Sequence, residues 1–153
     1  MANVTINYRK FKSDIKRFKS NIKRAIPKAL NRSGEKTKEI ILDRTARGVG
    51  LNGAFKKYNP SYKDYRKKQG RGIKPDLNFS GRMLSNLDVE RVTTNKVLVT
   101  FKRKEEEKKA MQNQKTRPFM GVRPQEEKFI VNAFLKQFER DLWVISKLVT
   151  ENK

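Results

Sequence analysis

The chain has no cysteine and no histidine among its 153 residues. The first absence excludes disulfide staples and thiolate metal sites, and it fits a reducing compartment. The second excludes histidine general bases, His-containing triads and imidazole-bound metals. No run of about 18 apolar residues occurs, so no membrane-spanning helix is expected. The N-terminal Met1-Ala2-Asn3-Val4-Thr5-Ile6 lacks the long apolar segment of a signal peptide, so none is expected. There is no P-loop, no dinucleotide glycine fingerprint and no zinc-ligand spacing. Acids are scarce as well, with 16 Asp/Glu against 38 Lys/Arg. Asp43, Asp64, Asp76 and Asp88 are spread singly, and no D-x-D or E-x-K pair frames a two-carboxylate nuclease or glycosidase site. A non-enzyme without cofactor or metal is expected.

What is abundant is positive charge. The net charge is +22 and unevenly distributed. Residues 1–75 hold 22 Lys/Arg against 5 Asp/Glu, and residues 76–153 hold 16 against 11. Such a field attracts polyanions, whether nucleic acid or an acidic protein surface, and solvated charge is the bland alternative. The composition, 35% hydrophobic and 35% charged, predicts a thin core for one domain of this length, or burial by assembly.

Asn3–Asn7 alternates weakly, as a short strand or a tail would. Phe11, Ile15, Phe18, Ile22 and Ile26 then recur at helical spacing among lysines and arginines. Pro27 predicts a break, with a second helix opening at it and ending near Arg47 before Gly48 and Gly50. Gly34 weakens the middle of that helix. A helix packed on its own domain is favoured over one lying on an anionic membrane or a calmodulin-type target, because the stripe is narrow and lacks tryptophan. Residues 48–76 read as a flexible, basic, aromatic loop whose only helical turn is Ser61–Lys68, placing Tyr62 beside Tyr65. Rings interleaved with cations also describe a single-strand nucleic-acid platform, but no RNA-binding strand pattern surrounds them, so a small satellite core is the preferred reading.

Asp88–Thr93 and Lys96–Lys102 predict a β-hairpin with Val97, Val99 and Phe101 facing the core. Lys104–Gln114 is helical by propensity, with Glu105 and Lys109 suitably spaced to pair and the Glu105-Glu106-Glu107 run read as a solvated face. Arg117–Val122 is a candidate third strand. Pro124 opens a long helix with apolar positions Phe129, Ile130, Ala133, Phe134, Phe138, Leu142 and Ile145, and Trp143 and Val144 extend this stripe sideways toward a possible neighbouring subunit. The expected fold is α+β: basic N-terminal helices over residues 1–47, then a small antiparallel sheet of three or four strands with a long C-terminal helix across it over residues 77–150, all in a single domain 1–153.

The order of features from about Ile40 to Leu142 resembles the bacteriophage virion-morphogenesis or tail-completion family of small neck proteins, with Mu-like members. The resembling pieces are Arg44–Gly50, Gly53-Ala54-Phe55 before Tyr58, and Tyr62 and Tyr65 ahead of Lys67-Lys68-Gln69-Gly70. They continue with Leu77-Asn78-Phe79-Ser80-Gly81-Arg82-Met83-Leu84-Ser85-Asn86-Leu87 and Arg117-Pro118-Phe119-Met120-Gly121-Val122. Each motif alone is weak, and their succession is more specific. The resemblance implies a structural protein of the virion neck or tail end, assembled in the host cytoplasm and acting in tail completion or head–tail joining.

The implied partners are further copies in a ring, often sixfold, and adjacent portal, adaptor, tail-tube or terminator proteins; packaged DNA is a further candidate. Leu77, Ser80, Gly81, Met83, Leu84, Arg117, Phe119 and Gly121 are its motif residues. Phe55, Tyr58, Tyr62, Tyr65, Arg66, Lys67 and Lys68 form the expected interface loop. Lys10, Lys12, Lys16, Arg17, Lys19, Lys23 and Arg24 are the expected contacts to a polyanion or partner ring. Many channel lumens repel DNA so that it slides, and the strong basic charge departs from that pattern. DNA, an acidic neighbouring ring and the capsid side remain open as targets. The alternative is a general nucleic-acid-binding basic protein that uses its helices on phosphates.

Overall fold

The computed structural model describes residues 8–150, with side chains over 9–143. The architecture is α+β. A single helix, α1 (Tyr8–Ala46), is followed by a two-stranded ribbon of β1 (Val49–Gly50) and β2 (Gly53–Ala54) and by α2 (Pro60–Lys68). Next come the short α3 (Arg82–Ser85), the hairpin β3 (Leu87–Thr93) and β4 (Lys96–Phe101), and the helices α4 (Lys104–Thr116) and α5 (Pro124–Thr150). The expected Asn3–Asn7 strand and the stripe positions Val144 and Ile145 lie outside the described side chains.

The predicted break at Pro27 does not occur, because α1 runs through it for 39 residues, about 58 Å at 1.5 Å per residue. An interior proline costs roughly 3 kcal/mol, and packing outweighs it: Ala25 and Ala29 on either side are buried, and α5 lies along α1 as its main neighbour. The long C-terminal helix therefore covers α1 and not the sheet. Arg44 meets Glu126, and Lys28 faces Asp141, so the two helices run antiparallel.

The hairpin forms where alternation predicted it, with Leu87 opposite Phe101 and Val89 opposite Val99. Val97, Val99 and Phe101 are half-buried while Leu98 is exposed. Gly34 marks the approach of α1 to this hairpin, since a Cβ built there would stand 2.6 Å from a methyl of Val89 and 3.3 Å from one of Val97. The residue that weakens the isolated helix is thus the one that lets a sheet rest on it.

The sheet does not extend to three or four strands. Each sheet has two, and the segment expected as a third strand, Arg117–Val122, is held by a side chain. Gln114 accepts from the Phe119 and Met120 amides and donates to the Met120 carbonyl. Pro118 has no amide to offer a ladder, and its carbonyl accepts from Leu51 N. Gly50 packs so closely here that a Cβ would lie 2.3 Å from that same carbonyl.

The apolar core gathers Ile41, Phe55, Leu77, Met83, Leu87, Ala110 and Phe119. Beside it sits a buried charge. Arg44 donates to Glu126, to the Phe119 carbonyl and to the Gly121 carbonyl, while its Nε has no partner among the described residues. Glu126 also accepts from the Arg123 backbone and guanidinium, capping the first turn of α5 from its third position. Burial pushes the Arg44 pKa down against the opposing pull of Glu126. For Glu126, burial alone would raise the carboxyl pKa, but the Arg123 bonds and the Arg44 and Arg123 charges hold it below its ordinary value.

In α4 the pair that forms is Glu106–Lys109, not Glu105–Lys109, and Glu106 is buried, not solvated. Side-chain spacing along the sequence does not show this, because α4 turns its second glutamate inward.

Two outcomes are expected. Gly34→Ala should gain roughly 1 kcal/mol of helix propensity yet lower the urea midpoint, because the stiff Val89 must move, at about 1–3 kcal/mol. In a Val89→Ala background the same change should raise the midpoint. Glu126→Gln leaves Arg44 without its counter-charge and should destabilise by about 3–5 kcal/mol at neutral pH. Since the folded Glu126 pKa lies below the ordinary 4.5, its contribution is complete above that pH and disappears as acid titrates the folded carboxyl. Unfolding stability should therefore fall more steeply below about pH 4.5 in the unaltered chain than in Glu126→Gln.

Candidate functional site

Residues 48–76 are not an irregular loop. They contain the β1–β2 ribbon and α2, which Asn59 caps by accepting from Tyr62 N, with Pro60 at the first helical position where its missing amide costs nothing. Tyr62 and Tyr65 come together as the helical spacing predicted, with ring centroids 6.2 Å apart. Phe79 joins the stack 5.7 Å from Tyr65, and Tyr58 meets Tyr62 edge-on at 4.9 Å.

At the centre is Arg66, 1% exposed. Its Nε donates to the Gly72 carbonyl, and Nη2 to Asp76 and the Asn78 carbonyl, while the guanidinium lies over Tyr58, Tyr62 and Phe79. Burial raises the Tyr58 pKa, and the Arg66 charge opposes it. Between two of these anchors, Leu77 is buried with φ 55°, a left-handed conformation that costs a bulky residue about 1–2 kcal/mol. Asp76 also accepts from Asn78 N, so the turn is closed on both sides of Leu77.

The expected interface loop therefore needs correction. Phe55, Tyr58 and Arg66 are buried and structural; three hydrogen bonds, one of them to a carboxylate, and the ring faces offset the loss of solvent around the guanidinium. Tyr65, Lys67 and Lys68 remain exposed. The motif residues behave likewise. Leu77, Met83 and Phe119 enter the core, Gly81 is left-handed before α3, and the Gly121 carbonyl serves Arg44. Arg117 donates to the Lys56 carbonyl and lies over Tyr58. Leu84 is half-buried and Ser80 exposed. A cleft of about 380 Å³ opens between α2, α3 and α4, walled by Tyr58, Tyr62, Phe79, Glu106, Lys109 and Arg117.

The expected polyanion contacts fall on the exposed part of α1. Lys12, Lys16, Arg17, Lys19, Lys23 and Arg24 are all exposed, as is Lys10, which engages a neighbour. Lys23 and Arg24 also reach a groove of about 800 Å³ where α1 passes the tip of the β3–β4 hairpin, and there they are joined by Lys28, Arg32 and Arg91. The last three were not among the expected contacts. Lys28 and Arg32 follow Arg24 at steps of four along one face and were legible as a helical row; Arg91 is brought by the hairpin, and nothing local in the sequence announces it. Glu35 is the acid that lines this groove, and it is engaged by Lys38.

Among the described residues no group of three or more acids could hold a metal ion. No family model, no curated protein and no solved structure matches the chain.

The groove gathers five cations around one acid, the charge arrangement that a phosphate backbone would neutralise. Arg24→Gln with Arg91→Gln should make the salt dependence of duplex-DNA binding shallower by roughly 2 units of log K per log salt. Lys108→Gln with Lys115→Gln on α4 should leave retention less affected; equal losses from both pairs would remove any special role for the groove.

Proposed function

We propose that the chain is a structural component of a tailed-phage neck, acting in tail completion or head–tail joining as one subunit of a homo-oligomeric ring. The observation that carries this reading is the uncovered apolar surface on both long helices. Phe11, Ile15 and Phe18 on α1 and Phe129, Val131 and Leu135 on α5 are between 40% and 58% exposed. Single exposed apolar residues are ordinary, whereas the row Phe11, Ile15 and Phe18 on α1 and the pair Val131 and Leu135 four apart on α5 suit neighbours that bury them.

The succession of motifs from Arg44 to Val122 supports the same reading. Residues 77–87 and 117–122 resemble the neck family, and they build the junction that joins α1, α4 and α5. In this role the chain turns nothing over: it offers the outer face of α5 to copies and the exposed end of α1 to axial neighbours, in the virion after assembly in the host cytoplasm.

Subunits of charge +22 repel one another, so salt should promote the ring. Sedimentation from about 0.05 to 0.5 M salt, where the screening length contracts from roughly 14 to 4 Å, should show a growing closed oligomer with rotational symmetry in electron micrographs. A monomer at every salt and protein concentration, also in the presence of isolated neck or tail components, would reject the proposal.

A further inference from the structure

The antiparallel register of α1 and α5 leaves one end of α1 uncovered by the described residues. Arg44 meets Glu126 and Lys28 faces Asp141, so paired positions sum to about 170. Thr150, where α5 ends, then stands level with about residue 20 of α1. The turns from Tyr8 to Phe18 project beyond it by roughly 16 Å at 1.5 Å per residue.

The projecting part continues the surface that α5 uses. Phe11, Ile15, Phe18 and Ile22 follow one another at steps of four, three and four, and Ala25 and Ala29 extend the same row. Ala25 and Ala29 are 1% and 0% exposed and Ile22 is half-buried, while Phe11 and Phe18 are 55% and 58% exposed. This is a two-per-heptad seam, the width that a single facing helix fills. At 3.6 residues per turn the four outer positions span an arc of about 60°. A helix that lies in a lipid interface needs a broader apolar face, about 100° or more.

One flank of the seam carries a second row. Lys12, Lys16, Lys19 and Lys23 each follow a seam residue by one position, and all are exposed and make no salt bridge among the described residues. On the other flank Asp14 is the sole acid, accompanied by Arg17. Counted as heptads, Lys12 and Lys19 stand at the e positions, from which coiled-coil helices choose their partners by charge, and Lys16 and Lys23 stand beside them one step further from the seam. A second copy would bring the same lysines against these, and like charges across a seam disfavour pairing.

We infer that the projecting end of α1 docks an acidic amphipathic helix of another protein: apolar residues at heptad spacing fill the Phe11–Ile15–Phe18–Ile22 seam, and glutamates or aspartates beside them pair with Lys12, Lys16, Lys19 and Lys23. The inference rests on α1 alone and does not require the neck reading.

The test uses the full chain and two synthetic helices of three heptads, both with leucine along the seam, one with glutamate and one with lysine at the flanking positions. The glutamate helix should bind, and Phe11→Ser with Phe18→Ser should weaken it about tenfold or more with unfolding unchanged, because both rings are exposed in the free chain. Reversal of the lysine row to glutamate should transfer binding to the lysine helix. Binding of the glutamate helix that survives loss of both phenylalanines would overturn the inference, since charge alone would then account for it. Phenylalanine-dependent self-association, or phenylalanine-dependent binding to vesicles of anionic phospholipid in place of the peptide, would overturn it as well. Ring formation measured on the same variants reports on the neck reading separately.

Discussion

Arg44 sits in the last turn of α1 with no part of it exposed, and three acceptors from one distant stretch, residues 119–126, converge on its guanidinium. The carbonyls of Phe119 and Gly121 fix the path of the segment before α5, and Glu126 fixes the first turn of α5 itself. Desolvating a guanidinium is expensive, and the cost is recovered only if good partners are in place together. The position of α5 along α1 follows from that condition, and with it the burial of Ala25 and Ala29 and the level at which α1 becomes bare. An apolar contact in the same place would tolerate sliding of one helix along the other; a charge with three directional acceptors does not.

Arg66 repeats the device on a smaller scale. A segment with few apolar residues of its own is closed around a cation, with carbonyls and a carboxylate in the plane and aromatic faces above it. These two arginines explain how a chain with so much charge and so little hydrophobic mass holds a fixed shape. Its apolar core is small, and the polar junctions at its edges carry the specificity of packing. The left-handed Leu77 is the local cost of this arrangement, sustained because Asp76 and Asn78 on either side are both tied to Arg66.

Much of the local structure was legible in the sequence. The hairpin, the helical turn within α2, α4, and α5 opening at Pro124 follow from alternation and helical spacing, and the α+β class follows from them. What local rules missed was decided at long range. Pro27 breaks a helix in isolation, but α5 lies along both sides of it. Residues 117–122 are short and extended like a strand, but Gln114 takes the amides that a ladder would need. Glu106 looked solvated beside Glu105 and Glu107, and only the tertiary placement of α4 buries it. For the candidate site, the exposed cations of α1 were readable directly, whereas Arg91 joins the groove through a hairpin some sixty residues away, and Arg66 was mistaken for a surface residue because nothing in its neighbours reveals a ring of acceptors.

The antiparallel pairing of the first long helix with the last has a consequence in time. Arg44 and Glu126 are 82 residues apart, and at about 5–20 residues per second a ribosome needs roughly 4–16 s to cover that distance. Throughout that interval the halves of α1 on either side of Pro27 can form, because helical contacts are local, while the face that α5 will cover stays open to water. The intervening hairpin reaches Gly34 first and can hold only the middle of the helix. Until α5 emerges, the nascent chain presents a cationic, half-greasy segment beside polyanionic ribosomal RNA, so the last helix to be made determines how long the first one is at risk of sticking to the machine that made it.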